Sequence, residues 1–320
     1  MPPDDSKTRP LLETVGLKKY FKVGGGLLHA VDDVSLSVRE GQTLGIVGES
    51  GCGKSTLGRA VLRLIDASGG EVLYRGENIL KYDRKRMKDI RKEMQIIFQD
   101  PFSSLDPRMT VFDTISEPLV VNGSHGDRAS LAERIPALMK TVGLAESYIN
   151  TYPHEMDGGR RQRVGIARAL ALNPKFIVCD EPVSALDVSI QAQILNLLMD
   201  LQEKFGLSYM FITHDLSVVK HISTEIAVMY LGQCVERAPS EELFRNPLHP
   251  YTKALLAAIP VPKLAKKNRS VIKGEVSDPI DPTPGCRFSP RCDFSKEGCT
   301  GENIPLAGSG AHAVACRLYA

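Results

Sequence analysis

The chain has 320 residues, of which 42% are hydrophobic and 24% charged, and 40 Lys and Arg against 38 Asp and Glu leave a formal net charge of +2. This composition predicts about two globular domains and excludes a disordered or fibrous chain. The small net charge argues against a dedicated nucleic-acid binder or a polybasic membrane binder. Because no apolar run approaches the roughly 20 residues that cross a bilayer, and the start MPPDDSKTRP lacks the pattern of a secretory signal, we expect a cytoplasmic protein.

The first 150 residues place strand and helix patterns around a glycine-rich turn. Alternating apolar and polar residues at 11–48 predict strands that lead into the turn. The segment after the turn, STLGRAVLRLI, has the spacing of a helix, and EVLYRG predicts a further strand. The charged run at 81–93 predicts a solvated helix face without a ligand. QIIFQ at 95–99 predicts a buried strand, and 100–150 predicts a helical insert.

The second half of the chain alternates strand and helix patterns, as βαβ units of a mainly parallel sheet do. FIVCDE at 176–181, YMFITH at 209–214 and EIAVMYLG at 225–232 are predicted strands, and VSIQAQILNLLMDLQEKF is a predicted helix. Prolines at 247–262 mark a boundary. The remaining residues are rich in proline, glycine and cysteine and predict a small appended module at 259–320.

A phosphate-binding loop is predicted between the strand TLGIV and the helix that follows it. The sequence GESGCGKS matches G-x-x-x-x-G-K-[ST] in the context that this motif requires. Backbone N–H groups and a helix N-terminus would bind phosphate, Lys54 would neutralise the β and γ phosphates, and Ser55 would ligate Mg²⁺. The predicted nucleotide-binding residues of the loop are Gly48, Glu49, Ser50, Gly51, Cys52, Gly53, Lys54, Ser55 and Thr56, with Cys52 as a small filler.

Two carboxylates follow the apolar strand FIVC. Asp180 can hold Mg²⁺ through water, and Glu181 can orient or deprotonate an attacking water. An Asp-Glu pair at a strand end is often only structural, but its place downstream of a phosphate loop favours an ATPase. His214 could contact the γ-phosphate, although a single histidine at a strand end is usually structural.

The segment HEMDGGRRQR at 154–163 resembles the signature of ATP-binding cassette proteins. The order of phosphate loop, IIFQDP, signature, CDEP, SALD and ITHD is similar to theirs over residues 11–258. The resemblance implies an α/β P-loop NTPase cassette: a RecA-like core with an antiparallel β portion, and a helical signature subdomain at about 100–170. It also implies that two cassettes pair head to tail, with each ATP between one phosphate loop and the partner's signature.

The same resemblance implies roles for further residues. Phe21, or alternatively Tyr20, stacks on adenine. Gln99 connects Mg²⁺ and the attacking water to the membrane subunits, Asp187 crosses the dimer interface, and His214 senses the γ-phosphate. The implied catalytic residues are Glu181, His214, Gln99 and Lys54, and the implied Mg²⁺ ligands are Ser55, Gln99 and Asp180.

The signature departs from the Ser-Gly-Gly-Gln of the family, because Asp157, Gly158, Gly159 and Arg160 occupy those places. Aspartate caps helices as well as serine does. An ionised Asp157 cannot donate to the γ-phosphate of the partner's ATP and repels it, at a cost of about 1 to 4 kcal/mol. Either the two ATP sites of the pair are unequal, or Arg160 compensates and the change is neutral.

NPLHPYTKALLAAIP at 246–260 resembles a segment of the oligopeptide, dipeptide and nickel branch of cassette importers, in which His249 is a marker without a catalytic role. LLHAVDDVSLSV and GESGCGKSTLGR resemble the second ATPase subunit of those importers. The resemblance implies hydrolysis of ATP to ADP and phosphate at the cytoplasmic face of the membrane, driving import of di- or oligopeptides. It implies three kinds of partner: a related ATPase in a heterodimer, two transmembrane permease subunits and an extracytoplasmic binding protein. Three alternatives stay open: a nickel or other small-solute importer, a soluble cassette ATPase, and a catalytically poor nucleotide-binding module.

Four of the seven cysteines lie near the end of the chain, in GCRFSPRCDFSKEGC and HAVAC. A similar tail occurs in the same importer branch, where some members hold a [4Fe–4S] cluster, and this implies a cluster bound by Cys286, Cys292, Cys299 and Cys316. Thiolates suit such a cluster or Zn²⁺, and free or disulfide-paired thiols are the third possibility. Cys179 and Cys234 lie in apolar strands and are predicted buried fillers.

Overall fold

The computed structural model describes residues 9–124, 128–259, 279–308 and 311–319. The chain divides into two compact units: unit 1 comprises Met1–Lys81 and Phe211–Ala320, and unit 2 comprises Tyr82–Met210. Of the prolines at 247–262 that mark the predicted boundary, Pro247 and Pro250 are described, whereas Pro260 and Pro262 lie outside the described residues. No helix in the described parts of the chain is long and apolar enough to span a membrane.

The first part of unit 1 forms an antiparallel sheet, a buried strand and the helix after the phosphate loop. Its elements are β1 (Leu12–Val23), β2 (Gly26–Val38), β3 (Thr43–Val47), α1 (Lys54–Val61), β4 (Gly69–Tyr74) and β5 (Glu77–Asn78). The antiparallel sheet has the order β2-β1-β4-β5. Every residue of β3 is buried, as expected of a strand covered on both faces. Helix α1 is shorter than predicted, because Arg63 has a left-handed backbone with φ +50°.

Unit 2 is mainly helical. Its elements are α2 (Arg84–Glu93), β6 (Met94–Ile97), α3 (Val111–Val121), α4 (Arg128–Thr141), α5 (Gly158–Leu170), β7 (Phe176–Asp180) and α6 (Val188–Phe205). β6 and β7 both lie within segments predicted to be strands, and they pair in parallel. Only Met87 of α2 is fully buried, which confirms the solvated charged face. α3 begins with a capping box in which Thr110 and Asp113 bind each other's backbone N–H groups.

The division between the units falls within β8 (Ser208–Ile212). The strand ends before His214, so the prediction of a strand through this residue was wrong by two positions. The chain turns there because the Asp215 side chain accepts hydrogen bonds from the backbone of Ser217 and Val218 and begins the next helix. His214 therefore lies exposed in a short loop.

The last part of unit 1 comprises α7 (Leu216–Ile222), β9 (Glu225–Tyr230), β10 (Gln233–Pro239), α8 (Ser240–Arg245), α9 (Pro250–Ala257) and β11 (Ala313–Val314). β9 pairs in parallel with β3 and antiparallel with β10, and β10 also pairs with β11. Phe288 packs its ring against Tyr230 and Tyr251, with centroids 5.3 and 5.4 Å apart. Residues of the cysteine-containing tail are therefore part of the unit 1 core.

Candidate nucleotide-binding and catalytic residues

The phosphate loop connects β3 to α1, as the motif predicted. Two of its glycines have no room for a side chain. A Cβ at Gly48 would lie 2.2 Å from the carbonyl oxygen of Met229, and one at Gly53 would lie 1.8 Å from that of Ala30. Gly53 also has φ +99°, a left-handed backbone at the start of the helix. The neighbouring backbone therefore specifies glycine at both positions.

Lys54 is the first residue of α1 and is only 4% exposed. Its Nζ donates to the carbonyl oxygens of Gly48 and Glu49, both at 2.9 Å. These bonds hold the ammonium group within the loop, where it can neutralise bound phosphate. Ser55 and Thr56 follow in the first turn of the helix and are half-buried.

Residues distant in sequence hold the phosphate loop in place. The backbone N–H of Glu49 donates to the hydroxyl of Tyr251 at 2.9 Å, and its carboxylate accepts from Arg291 Nη1 at 3.0 Å. The carbonyl of Cys52 accepts from the backbone of Gly232 at 2.9 Å. Tyr251 and Arg291 were not predicted as contacts of the loop, because no sequence motif marks either residue.

Cys52 is 3% exposed. Burial raises the pKa of its thiol, which keeps the reactive thiolate scarce and agrees with the predicted filler role. Cys179 and Cys234 are likewise buried, and burial raises the pKa of Cys234 to about 12. The prediction that both cysteines are buried is confirmed.

The two aromatic candidates for adenine stacking differ in their contacts. Tyr20 stacks on His29, with ring centroids 4.0 Å apart, and its hydroxyl donates to Asp32. Phe21 is half-buried, and Lys19 Nζ lies 4.7 Å from its ring centroid. Because Tyr20 is already engaged through both its ring and its hydroxyl, these contacts favour Phe21 over Tyr20 for stacking on a base.

In unit 2, Gln99 and Glu181 lie beyond the carboxyl ends of the paired strands β6 and β7. Gln99 Nε2 donates to Glu181 Oε2 at 2.9 Å. Asp180, the last residue of β7, is 1% exposed. Glu181 has φ +46°, a strained conformation for a residue with a side chain and one that is common at functional sites. The two carboxylates and the amide oxygen are the ligand types that Mg²⁺ prefers.

Asp157, which replaces the serine of the family signature, pairs with Arg160 in the helix that it caps. Asp157 caps α5, because its Oδ1 accepts from the backbone of Arg160 at 2.8 Å. Its Oδ2 also accepts from Arg160 Nη1 at 2.6 Å, with both side chains about half-exposed. The helix cap is therefore kept, as predicted, and the added negative charge is paired with the residue that replaces glutamine.

The two signature glycines that follow this cap are closely packed, whereas Asp187 near the start of α6 is exposed. A Cβ at Gly159 would lie 2.7 Å from Ile190 Cγ2, and one at Gly158 would lie 3.1 Å from Leu186 Cδ2. Asp187 precedes α6 without a capping hydrogen bond from its side chain, and it is exposed.

The four tail cysteines line one small cavity together with His249. Burial, followed by the proximity of the other three thiols, raises the pKa of Cys286 to about 11. Among the described residues, however, no group of three or more His, Cys, Asp or Glu side chains is placed to hold a metal ion. The zinc alternative does not fit this geometry, and the geometry does not support the iron–sulfur prediction for Cys286, Cys292, Cys299 and Cys316.

Comparisons with known proteins agree with these motifs. The family model "ABC transporter" matches residues 31–184, and the model "Oligopeptide/dipeptide transporter, C-terminal region" matches 235–299. The oligopeptide transport ATP-binding protein AppF of Bacillus subtilis is 49% identical over 97% of both chains, and the dipeptide transport ATP-binding protein DppF of Escherichia coli is 46% identical over 96% of this chain and 94% of its own. A dimeric ATP-binding cassette, MJ0796, solved with ADP and Pi, is 29% identical with a TM-score of 0.65, over 72% of this chain and 98% of its own. The chain therefore belongs to the ATP-binding cassette transporter family.

Proposed function

We propose that this chain is the ATP-binding and hydrolysing subunit of an importer of di- or oligopeptides. The observation that carries the proposal is the similarity of nearly the whole chain, including the C-terminal region, to ATP-binding proteins named for oligopeptide and dipeptide transport. A nickel or other small-solute importer remains the alternative within the branch. A soluble cassette ATPase outside transport is disfavoured by the match to the transporter C-terminal region.

In the proposed reaction the phosphate loop binds the triphosphate of ATP through its backbone N–H groups and Lys54. Phe21 stacks on the adenine. Glu181 orients the attacking water and accepts its proton, and Gln99 holds the Glu181 carboxylate through the hydrogen bond described above. Mg²⁺, when bound by Ser55, Gln99 and Asp180, would stabilise the charge that develops on the phosphate oxygens.

We infer that the subunit works in a head-to-tail pair with a second, related ATPase. In such a pair Gly158, Gly159 and Arg160 face the partner's nucleotide, and Asp187 crosses the interface. Val188, the first residue of α6, is 81% exposed. His214, exposed in its loop, senses the γ-phosphate. ATP binding closes the pair, and hydrolysis reopens it.

The proposed partners place the subunit at the cytoplasmic face of the membrane as a peripheral protein. Two permease subunits provide the path for the peptide, and an extracytoplasmic binding protein delivers it. The chain itself touches no cargo in this arrangement, so its site residues act only on ATP.

The [4Fe–4S] cluster stays a prediction from the resemblance, and no step of the reaction depends on it. The four cysteines line one cavity, although among the described residues no group of them is placed to hold a metal ion. Iron content and an absorption band near 400 nm in anaerobically purified protein would establish the cluster, and their absence would rule it out.

The function is tested by reconstituting the chain in liposomes with its permease subunits, the second ATPase and the binding protein. We expect peptide-loaded binding protein to stimulate both ATP hydrolysis and peptide uptake. Stimulation and uptake with a nickel-loaded binding protein, but not with a peptide-loaded one, would replace the peptide assignment with the alternative.

A further inference from the structure

The described tail of unit 1, residues 279–308 and 311–319, reaches the phosphate loop through an arginine. Arg291 Nη1 lies 3.0 Å from Glu49 Oε2 and 3.3 Å from the hydroxyl of Tyr230. The Arg291 side chain is 7% exposed and that of Glu49 is 26% exposed, so water screens this ion pair less than it screens a surface pair. Glu49 is thus held by its side chain from the tail and by its backbone from Tyr251.

A second arginine of the tail holds the backbone on the other side of the loop. Arg287 donates to the carbonyl oxygen of Leu231 and to Asp32. The next residue, Gly232, donates to the carbonyl of Cys52 in the phosphate loop at 2.9 Å and accepts from the backbone of Asp32 at 2.8 Å. The tail therefore contacts the loop directly through Arg291 and indirectly through the backbone that Arg287 holds.

We propose that Arg291 is a positioning residue for ATP, and that through it the C-terminal tail holds the phosphate loop in the conformation that binds the triphosphate. The inference rests on the proposed role of the phosphate loop and goes beyond it, because the tail carries none of the nucleotide-binding motifs. Lys54 binds the carbonyl of the same Glu49 residue, so a displaced Glu49 also displaces the acceptor of the Lys54 ammonium. Losing the ion pair should therefore weaken ATP binding more than it slows hydrolysis at saturating ATP.

The test measures binding of a fluorescent ATP analogue and ATP hydrolysis by the assembled importer containing the full chain. We expect Arg291→Ala to raise both the dissociation constant and the ATP concentration for half-maximal hydrolysis about three- to tenfold, with turnover at saturating ATP largely unchanged. Arg291→Lys should recover part of the affinity, because it keeps the charge. Arg317→Ala is the matched control, since the contacts of Arg317 are with Gly298 and Glu302 within the tail.

Glu49→Gln removes the same ion pair from the other side with an isosteric side chain, and it decides the question if Arg291→Ala does not fold. The double variant should be no weaker than either single variant, because both remove one interaction. The proposal is overturned if Glu49→Gln binds ATP as tightly as wild type, or if the losses of ATP affinity from Arg291→Ala and Glu49→Gln add in the double variant. It is also overturned if Arg317→Ala binds ATP as weakly as Arg291→Ala does. Lys54→Ala separates this outcome from a failure of the proposed function, because normal ATP binding by that variant would refute the phosphate loop itself.

Discussion

Gln99 donates a hydrogen bond to Glu181 across 2.9 Å, although 82 residues separate them in sequence. The bond joins the amide that follows β6 to the carboxylate that follows β7, and the parallel pairing of these strands brings the two together. Glu181 is held in a left-handed backbone at this point. The hydrogen bond from Gln99 and this backbone conformation therefore orient the side chain of the proposed general base.

Replacing Glu181 with Gln should remove the proton acceptor while keeping the size of the side chain. We expect hydrolysis at this chain's own site to fall by about 10²- to 10⁴-fold, so that the rate of the assembled importer falls to that of the partner's site, with binding of a fluorescent ATP analogue retained. The matched comparison is the equivalent substitution in the second ATPase. Because Asp157 repels the ATP bound to the partner's phosphate loop, unequal sites would make the partner's site the weaker one. A greater loss of rate from the partner's substitution than from Glu181→Gln would contradict this hypothesis.

Replacing Asp157 with Ser should relieve the repulsion between its carboxylate and the γ-phosphate in the partner's site. The effect is best measured in the Glu181→Gln background, where the remaining hydrolysis comes from that site. We expect the residual rate to rise by a factor of about 10, which corresponds to about 1.4 kcal/mol, within the range expected for one such charge pair. Ser keeps the helix cap.

The control for Asp157→Ser is Arg160→Gln, which leaves the carboxylate without its ion-pair partner. It should lower the residual rate, because the unpaired charge repels phosphate more strongly. Equal residual rates in all three proteins would instead support the neutral interpretation of the signature.

Gly159 and Gly165 lie in the same helix and provide a matched pair of substitutions. A Cβ at Gly159 would lie 2.7 Å from Ile190 Cγ2, whereas one at Gly165 would meet nothing within 4 Å. We expect Gly159→Ala to lower the free energy of unfolding by about 1 to 3 kcal/mol through overpacking, and Gly165→Ala to raise it by about 0.5 to 1 kcal/mol. Denaturant unfolding followed by circular dichroism measures both changes. A Gly159→Ala variant more stable than wild type would contradict the close packing of Gly159 against Ile190.

His249 should make stability depend on pH. It is 1% exposed, and burial together with the charge of Lys253 lowers its pKa to about 4. The unfolded chain therefore binds a proton between pH 6.5 and 4 that the folded chain does not. Stability is fully present above pH 6.5 and falls as the pH drops toward 4, by roughly 3 kcal/mol from this residue.

The variant that tests this is His249→Asn. His249 Nδ1 accepts from the backbone of Tyr251 at 3.1 Å to cap α9, and Asn can replace this cap. We expect the free energy of unfolding of His249→Asn to fall less than that of wild type between pH 6.5 and 4. His221→Asn, at an exposed position, should retain the wild-type slope. If stability falls with pH equally steeply in wild type and His249→Asn, then His249 binds its proton as readily in the folded chain as in the unfolded chain.

Local features of this protein were predictable because neighbouring residues create them. The Asp157 cap and the burial of Cys179 each depend on a few residues in sequence or on the period of one strand. The end of β8 was misplaced because the Asp215 cap, which a sequence pattern shows only weakly, ends the strand early.

The order of the nucleotide motifs can be read directly from the amino-acid sequence, and it is enough to identify the family. The contact between the tail and the phosphate loop is visible only in the folded chain, because Glu49 and Arg291 are 242 residues apart and an ion pair leaves no periodic pattern in either segment. The folded chain also shows that the tail cysteines share one cavity without converging on a single metal ion. Motifs record chemistry that repeats across a family, whereas contacts between distant segments arise only when the chain has folded.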